Sequence, residues 1–448
     1  MENSKKIKDR INNMKRMLNK ASGALDTLPI PEEVKDKIKS LVFGDEKLNE
    51  LLSTVDGTRV TRILFMGRTG VGKSTLINAI CGAYVANVSN SQSCTEGSNR
   101  YTVTDVNGNA LMDIYDTRGI AESIAINATS SEQQLKSDIE RFHPDIMLLV
   151  ESADVRDNAI DGDIKFVKDV RQRYNRNHNK ELPLIVVINK CDNVAPTSEQ
   201  GAENYSQTKR AAIGRIVDTY ESNFIQKGIL ADKVIGVSSN IEWGKKGIKL
   251  GNEEINGLTD RERKSLKIAF DGRYNIDELR NAIENGIDDI AAKRGFRISF
   301  ELQEVVERIA KQLVAAFSTI AGTIALVPIP ISDVYILLTL QSFMVLLIAA
   351  MSGREISLDT AKEFLFSLGG IGTGGVILRT FAQQASKLLN FIVPVTGSAV
   401  SAGIASTGTM SMGYIAIDYY IKGKDIKTVK KNFDKLAKQF KKDSKKHK

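Results

Sequence analysis

The sequence predicts an α/β protein: a doubly wound, mostly parallel sheet, joined to an all-α region built from N- and C-terminal helices. Three observations predict it. A Gly-rich string, GRTGVGKST at residues 67–75, sits between an apolar run and an apolar helical run. Short apolar runs then alternate with amphipathic stretches for some two hundred residues, the pattern of strand–helix–strand units. Beyond Leu313 the strand pattern stops and long uncharged stretches take over.

Residues 1–57 read as charged helices, broken at Pro29-Ile30-Pro31, where Pro31 followed by Glu32 and Glu33 marks a helix start. Strands are expected near 61–66, 100–105, 111–115, 145–151, 184–189 and 233–237. Helices are expected near 74–82, 131–142, 162–176, 203–227 and 275–291. The stretch 241–272, with Trp243 and several Gly and Lys, reads as an insertion before the last of these helices. The predicted division is an N-terminal helical segment at 1–57, a nucleotide-binding domain at 58–292, an apolar helical domain at 293–421 and a basic tail at 422–448.

Residues 67–75 fit the pattern G-x-x-x-x-G-K-[ST], with Gly67, Gly72, Lys73 and Ser74 in the fixed places. Glycine lets the backbone turn sharply and approach phosphate closely. The amides of Thr69, Gly70, Val71, Gly72 and Thr75, with the helix dipole behind them, make an anion nest. Lys73 reaches the β- and γ-phosphates, and the Ser74 hydroxyl is a ligand for Mg²⁺. Two further strings follow, DTRG at 116–119 and NKCD at 189–192. Asp116 stands at a strand end, where its carboxylate can hold Mg²⁺ through water, and the Gly119 amide can meet a γ-phosphate. Asp192 can accept two hydrogen bonds from guanine N1 and N2. Adenine offers no such pair and leaves the carboxylate unmatched. Asn189 braces the loop, and the Lys190 stem can lie over the base.

With these strings in this order, the chain resembles the translation-factor class of P-loop GTPases, close in wording to Era-, septin-, dynamin- and immunity-related-like groups. The resemblance implies GTP and GDP as ligands, Mg²⁺ as cofactor and hydrolysis of GTP. Its fifth motif would be VSSN at 237–240, with Ser238 and Ser239 at the base and the Ser239 backbone facing guanine O6. The family's usual S-A-K reads S-S-N here. Its switch threonine would be Thr95, in Ser93-Cys94-Thr95, with Thr102 as the alternative. The implied catalytic set is Lys73, Thr95 and Gly119, and the implied metal set is Ser74, Thr95 and Asp116. Two departures bear on mechanism. Ile120 stands where many relatives place a water-orienting glutamine, and an isoleucine can neither orient nor polarise water. Thr69 stands where small signalling GTPases often have glycine, crowding an arginine finger delivered in the usual way. Both features are similar to GTPases that dimerise across the nucleotide, which makes a GTP-dependent homodimer a candidate partner. Position 70 is glycine rather than the potassium-coordinating asparagine of some bacterial GTPases.

At 448 residues the chain should hold two or three domains, and 42% hydrophobic residues suffice for packed cores. Cys81, Cys94 and Cys191 have no C-x-x-C spacing and there are only three histidines, so no zinc site is indicated. Cysteine usage points to a reducing, cytoplasmic compartment, and the N-terminus is too charged for a signal peptide. The formal net charge is +8, yet residues 422–448 carry 12 Lys against 3 Asp, a balance of +9 that leaves the remainder near neutral. Such a tail can attract anionic lipid, at roughly 1 kcal/mol per basic residue near the surface, or RNA. Phe433, Leu436, Ala437 and Phe440 have helical spacing beside that charge. No RNA-binding motif is visible, and nucleic acid is not an expected partner.

Residues 313–330, 334–351 and 388–417 carry no charge. The first two flank Pro328-Ile329-Pro330, and the third is rich in Gly, Ser, Ala and Thr, which permit close helix packing. Two readings stay open at this point. The runs are membrane-seated helices, placing the chain peripherally or integrally at the inner face of a membrane, or they are core helices apolar all round. PIPISDVYILLTLQSFMVLLIAAMSG is similar to the helical domain of unknown function fused to bacterial GTPases, over roughly residues 300–420. That resemblance implies an architecture and assigns no chemistry, so Asp333, Gln341 and Gly353 are read as capping and core residues. Two outputs follow for the nucleotide cycle: coupling of hydrolysis to the helical module, or a switch that recruits an effector while hydrolysis runs slowly.

Overall fold

The computed structural model describes residues 2–27, 31–53, 57–86, 99–104, 110–117, 128–154, 160–245, 248–324, 332–353, 399–422 and 429. The chain divides into two compact units, Met1–Ile7 with Gly57–Phe300, and Lys8–Asp56 with Glu301–Lys448. Helices α1 (Glu2–Asp26), α2 (Glu32–Phe43) and α3 (Glu46–Ser53) open the chain.

In the first unit, strands β1 (Thr61–Met66), β2 (Asn99–Thr104), β3 (Ala110–Asp116), β4 (Ile146–Ser152), β5 (Leu184–Asn189) and β6 (Lys233–Gly236) form one sheet. Their order is β2-β3-β1-β4-β5-β6, parallel except for β2, which runs antiparallel to β3. Strands β4 and β5 are buried along their whole length, which is why they read as near-continuous apolar runs. Helices α4 (Lys73–Cys81), α5 (Ala128–Phe142), α6 (Ile160–His178) and α7 (Gln207–Gln226) alternate with these strands. Ile63, Phe65, Leu148 and Val150 pack with Leu76 and Ile77 of α4 on one face of the sheet. Leu64, Met66, Met147 and Leu149 pack with Phe142, Val167 and Phe224 on the other. Both faces are thus covered by helices, the doubly wound arrangement.

Residues 238–274, whose role the sequence left unread, fold as a second, antiparallel sheet. It comprises β7 (Ser238–Lys245), β8 (Ile248–Lys249) and β9 (Lys267–Tyr274) in the order β8-β7-β9. Short helices α8 (Asn252–Asn256) and α9 (Asp260–Lys264) close over it. Its small core is Trp243, Ile255 and Leu266 with Tyr84, whose ring meets Trp243 edge-on at 5.7 Å. One helix expected at 275–291 is two: α10 (Ile276–Gly286) and α11 (Ile290–Ile324). The break is made by Ile287 in extended backbone and by Asp289, whose carboxylate accepts from the Ala292 amide at 2.8 Å and so caps a new helix.

The second unit is helical: most of α1, α2, α3, the later part of α11, α12 (Ser332–Met351) and α13 (Ala399–Ala416), which ends in a single π turn at Ile417–Ile421. From Leu340 to Met351, α12 is buried around most of its circumference, with Met344, Leu347, Ile348 and Ala350 fully enclosed. Gln341 donates to the buried Thr409 hydroxyl at 2.8 Å, so the polar pair inside this apolar layer is matched. No helix among the described residues is long and apolar enough to cross a membrane. The expected amphipathic helix of the basic tail, and the early part of the uncharged run at 388–417, lie outside the described residues.

Small residues do allow close packing here. A Cβ on Gly413 of α13 would stand 2.3 Å from Val314 Cγ2 of α11. Gly413→Ala gains at most about 1 kcal/mol in helix propensity, against about 1–3 kcal/mol for overpacking. The variant is therefore expected to melt at a lower temperature than wild type by calorimetry, although alanine is the better helix former.

Candidate nucleotide-binding site

The loop after β1 lies at the carboxyl ends of the parallel strands, where open α/β sheets place ligands. Gly67, Gly70 and Gly72 all have positive φ, at 138°, 84° and 91°. Two of them are also fixed by crowding. A Cβ on Gly67 would meet the Val150 carbonyl at 2.2 Å, and one on Gly72 would meet Asn189 Nδ2 at 2.5 Å. Gly72 precedes α4, so the amides of Lys73, Ser74 and Thr75 belong to the first helical turn and lack intrahelical partners. Thr69 and Gly70 are exposed at the loop's tip, while Val71 is buried beneath it. The Lys73 ammonium donates to the carbonyls of Gly67 at 2.6 Å and Arg68 at 2.9 Å, which folds its side chain back across the loop.

Asp116 ends β3 and is fully buried, and β3 pairs directly with β1. Ser74, partly exposed, is the second residue of α4. An oxygen pair of hydroxyl and carboxylate beside a phosphate-type loop suits the hard Mg²⁺ ion, so these residues fit the metal that the sequence implies. Thr95 and Gly119 lie outside the described residues, as does Ile120. The alternative threonine, Thr102, is not brought to this site: it sits within β2 and donates to Asp113 at 2.6 Å.

The base side is built by β5 and β7. Asn189 closes β5, fully buried, and its Nδ2 donates to the carbonyls of Val71 at 3.0 Å and Gly72 at 3.4 Å. Lys190 takes the left-handed conformation, φ 63°, and a short 3₁₀ turn, Cys191–Asn193, follows. Cys191 is buried, its amide bonded to the Val237 carbonyl, and burial next to Asp192 pushes its thiol up to about 12. Ser238 Oγ donates to Asp192 Oδ1 at 3.0 Å, and Ser239 Oγ donates to Thr75 Oγ1 at 3.0 Å. Thr75 in turn donates to the Gly72 carbonyl at 2.7 Å. The structure therefore brings together Gly67, Thr69, Gly70, Val71, Gly72, Lys73, Ser74, Thr75 and Asp116 with Asn189, Lys190, Asp192, Ser238 and Ser239.

Two groups were not singled out from sequence. Arg68 pairs with Asp163 of α6 at 2.8 Å and ties the loop to that helix. Glu151, near the end of β4, is fully buried, and neither carboxyl oxygen has a hydrogen-bond partner among the described residues. Burial, reinforced by Asp163, pushes its carboxyl up to about 7 against the pull of Arg68 and Lys73. A charged residue closing the apolar run IMLLV was the sequence signal for it.

Residues 62–190 match the family described as 50S ribosome-binding GTPase, and residues 291–446 match a domain of unknown function, DUF697. The chain thus joins a P-loop GTPase domain to a C-terminal DUF697 helical domain. The uncharacterized protein YfjP of Escherichia coli K12 is 28% identical over 205 residues, 46% of this chain and 64% of the relative. GTPase Der of Lachnospira eligens is 26% identical over 172 residues, 36% of each protein. The chain thus spans under two thirds of the length of either relative. Among solved structures, the bacterial dynamin GTPase LeoA from ETEC aligns over 98% of this chain and 94% of its own, at 13% identity and a TM-score of 0.34.

The Glu151 environment has a measurable consequence. A carboxyl whose pKa rises on folding, from 4.5 to about 7, adds stability that is complete below 4.5 and lost as pH climbs through about 7. The shift corresponds to roughly 3 kcal/mol. In nucleotide-free protein, Glu151→Gln is expected to raise stability at about pH 8 and to flatten its decline from about pH 5 upward. Urea denaturation followed by fluorescence of Trp243, the single tryptophan, reads both effects.

Proposed function

We propose that this chain is a guanine-nucleotide hydrolase, converting GTP to GDP and phosphate, and that its nucleotide cycle acts on the C-terminal helical domain. The observation that carries the reading is the union of a glycine-built phosphate loop with the Asn189–Asp192 base loop, joined by the Asn189 hydrogen bonds to Val71 and Gly72. A phosphate loop alone would accept any nucleoside triphosphate. Asp192 adds a carboxylate that guanine satisfies and adenine does not.

In this reading, water attacks the γ-phosphorus and the bond to the β–γ bridging oxygen breaks, releasing GDP. The loop amides and the Lys73 ammonium, swung from its two loop carbonyls onto phosphate, offset the negative charge on the transferring group. Ser74, Thr95 and Asp116 would hold Mg²⁺, which would supply neutralisation of phosphate charge. Gly119 supplies an amide to the γ-phosphate. Ile120 orients no water, so turnover is slow in the isolated chain and rises when a second copy or a partner completes the site. The basic tail supports peripheral contact with anionic lipid as the place where the cycle acts.

Phosphate release from GTP with Mg²⁺ tests the chemistry. Lys73→Ala is expected to lower kcat/KM by about a thousandfold, as loss of a charge-stabilising donor does. Wild-type turnover in the variant removes the hydrolase reading. Turnover per molecule is also expected to rise with protein concentration. A flat profile, with and without anionic vesicles, leaves the slow switch with a separate effector.

A further inference from the structure

We infer that Lys209 is a positioning residue for guanine recognition: from the first turn of α7 its ammonium fixes the backbone of Asp192. The inference rests on the guanine reading above. Lys209 is fully buried, and its position is costly twice over. A cation in the first turn of a helix meets the positive end of the helix dipole. A buried ammonium needs complete pairing to offset its lost hydration. Ser206 caps this helix by accepting from the Lys209 amide, which fixes where the side chain starts.

The compensation is complete, and all of it comes from one loop. Lys209 Nζ donates to the carbonyls of Asp192 at 2.8 Å, Pro196 at 3.0 Å and Glu199 at 3.0 Å. Those three bonds use all three ammonium donors. The Tyr205 ring lies against the same cation at 4.4 Å from its centroid. The loop's own backbone bonds are short-range turns: Asn193 to Lys190, Val194 to Cys191 and Glu199 to Pro196. Asn193 also donates to Asp154 at 3.1 Å, but Lys209 alone among these ties bonds three carbonyls of residues 192–199 at one point. Asp192 is held twice, at its main chain by Lys209 and at its carboxylate by Ser238. Its remaining acceptor positions are then presented in one orientation. A lysine that served only to fasten the loop would influence all nucleotides alike. One that orients Asp192 influences the guanine-specific contacts most.

The test compares GDP with IDP, which lacks the exocyclic 2-amine and so offers Asp192 one donor fewer. Full-length protein is titrated calorimetrically with each, and with inorganic pyrophosphate as a probe of the phosphate loop alone. Wild type is expected to prefer GDP by about tenfold or more, the scale of a hydrogen bond to a charged group. Lys209→Met is expected to bring that ratio to within about threefold while pyrophosphate affinity holds. A folded K209M protein that keeps the wild-type GDP:IDP ratio overturns the inference, even if both affinities fall together. Should K209M fail to fold, Lys209→Arg is read the same way. Its planar fork cannot send three bonds to three converging carbonyls, so a reduced ratio is expected, and an unchanged one overturns. If wild type itself shows no preference for GDP over IDP, the guanine reading fails and this inference falls with it. If wild type discriminates and both variants do so equally, only the role of Lys209 is lost.

Discussion

One buried amide sets the geometry of the site. Asn189, at the last position of β5, reaches across the end of β4 to bond the Val71 and Gly72 carbonyls of the loop that follows β1. It can do so because β1 and β5 both flank β4 in the sheet. The amide occupies the space a Cβ would need at Gly72, so the glycine and the asparagine require one another. The two bonds donated by Asn189 Nδ2 join the loop that would hold phosphates to the loop that would hold a base. A change at either residue acts on both loops.

The second sheet extends this coupling. β7 begins at Ser238 and Ser239, which touch Asp192 and Thr75, and runs on to Trp243 against Tyr84. The residues at the base end of the site are therefore anchored in a sheet with its own apolar core rather than in a free loop. Rigid support of this kind is what a recognition site requires, because a contact misplaced by an ångström loses most of its selectivity.

The main sheet was legible because its strands are buried on both faces. IMLLV and PLIVVI can hardly be anything but core strands, and the observed β4 and β5 fall within a residue of where the sequence puts them. The phosphate and base loops were legible because their chemistry demands particular residues at fixed spacing. The second sheet was not legible. Its strands are half-exposed, β9 alternating through Lys267, Asp271 and Arg273, and polar alternation in a Gly- and Lys-rich stretch looks like loop. The split between α10 and α11 was missed although Asp289 is of a type that caps helices, because apolar residues continue at helical spacing on both sides of it. Lys209 gave no signal either. Its role depends on three backbone carbonyls, which have no side-chain code in the sequence.

The helical unit holds a different lesson. Its uncharged stretches satisfied two environments equally well on composition, since lipid and protein interior are alike apolar. Burial of α12 and the Gln341–Thr409 bond describe a packed helical layer, with polar groups paired inside it. The proposed guanine selectivity of the Asn189–Asp192 loop is tested most directly by calorimetric titration of the full-length protein with GTP and with ATP, each with Mg²⁺. The proposed pairing of Asp192 with guanine predicts GTP binding at least about a hundredfold tighter. Equal affinities, or tighter binding of ATP, would contradict it.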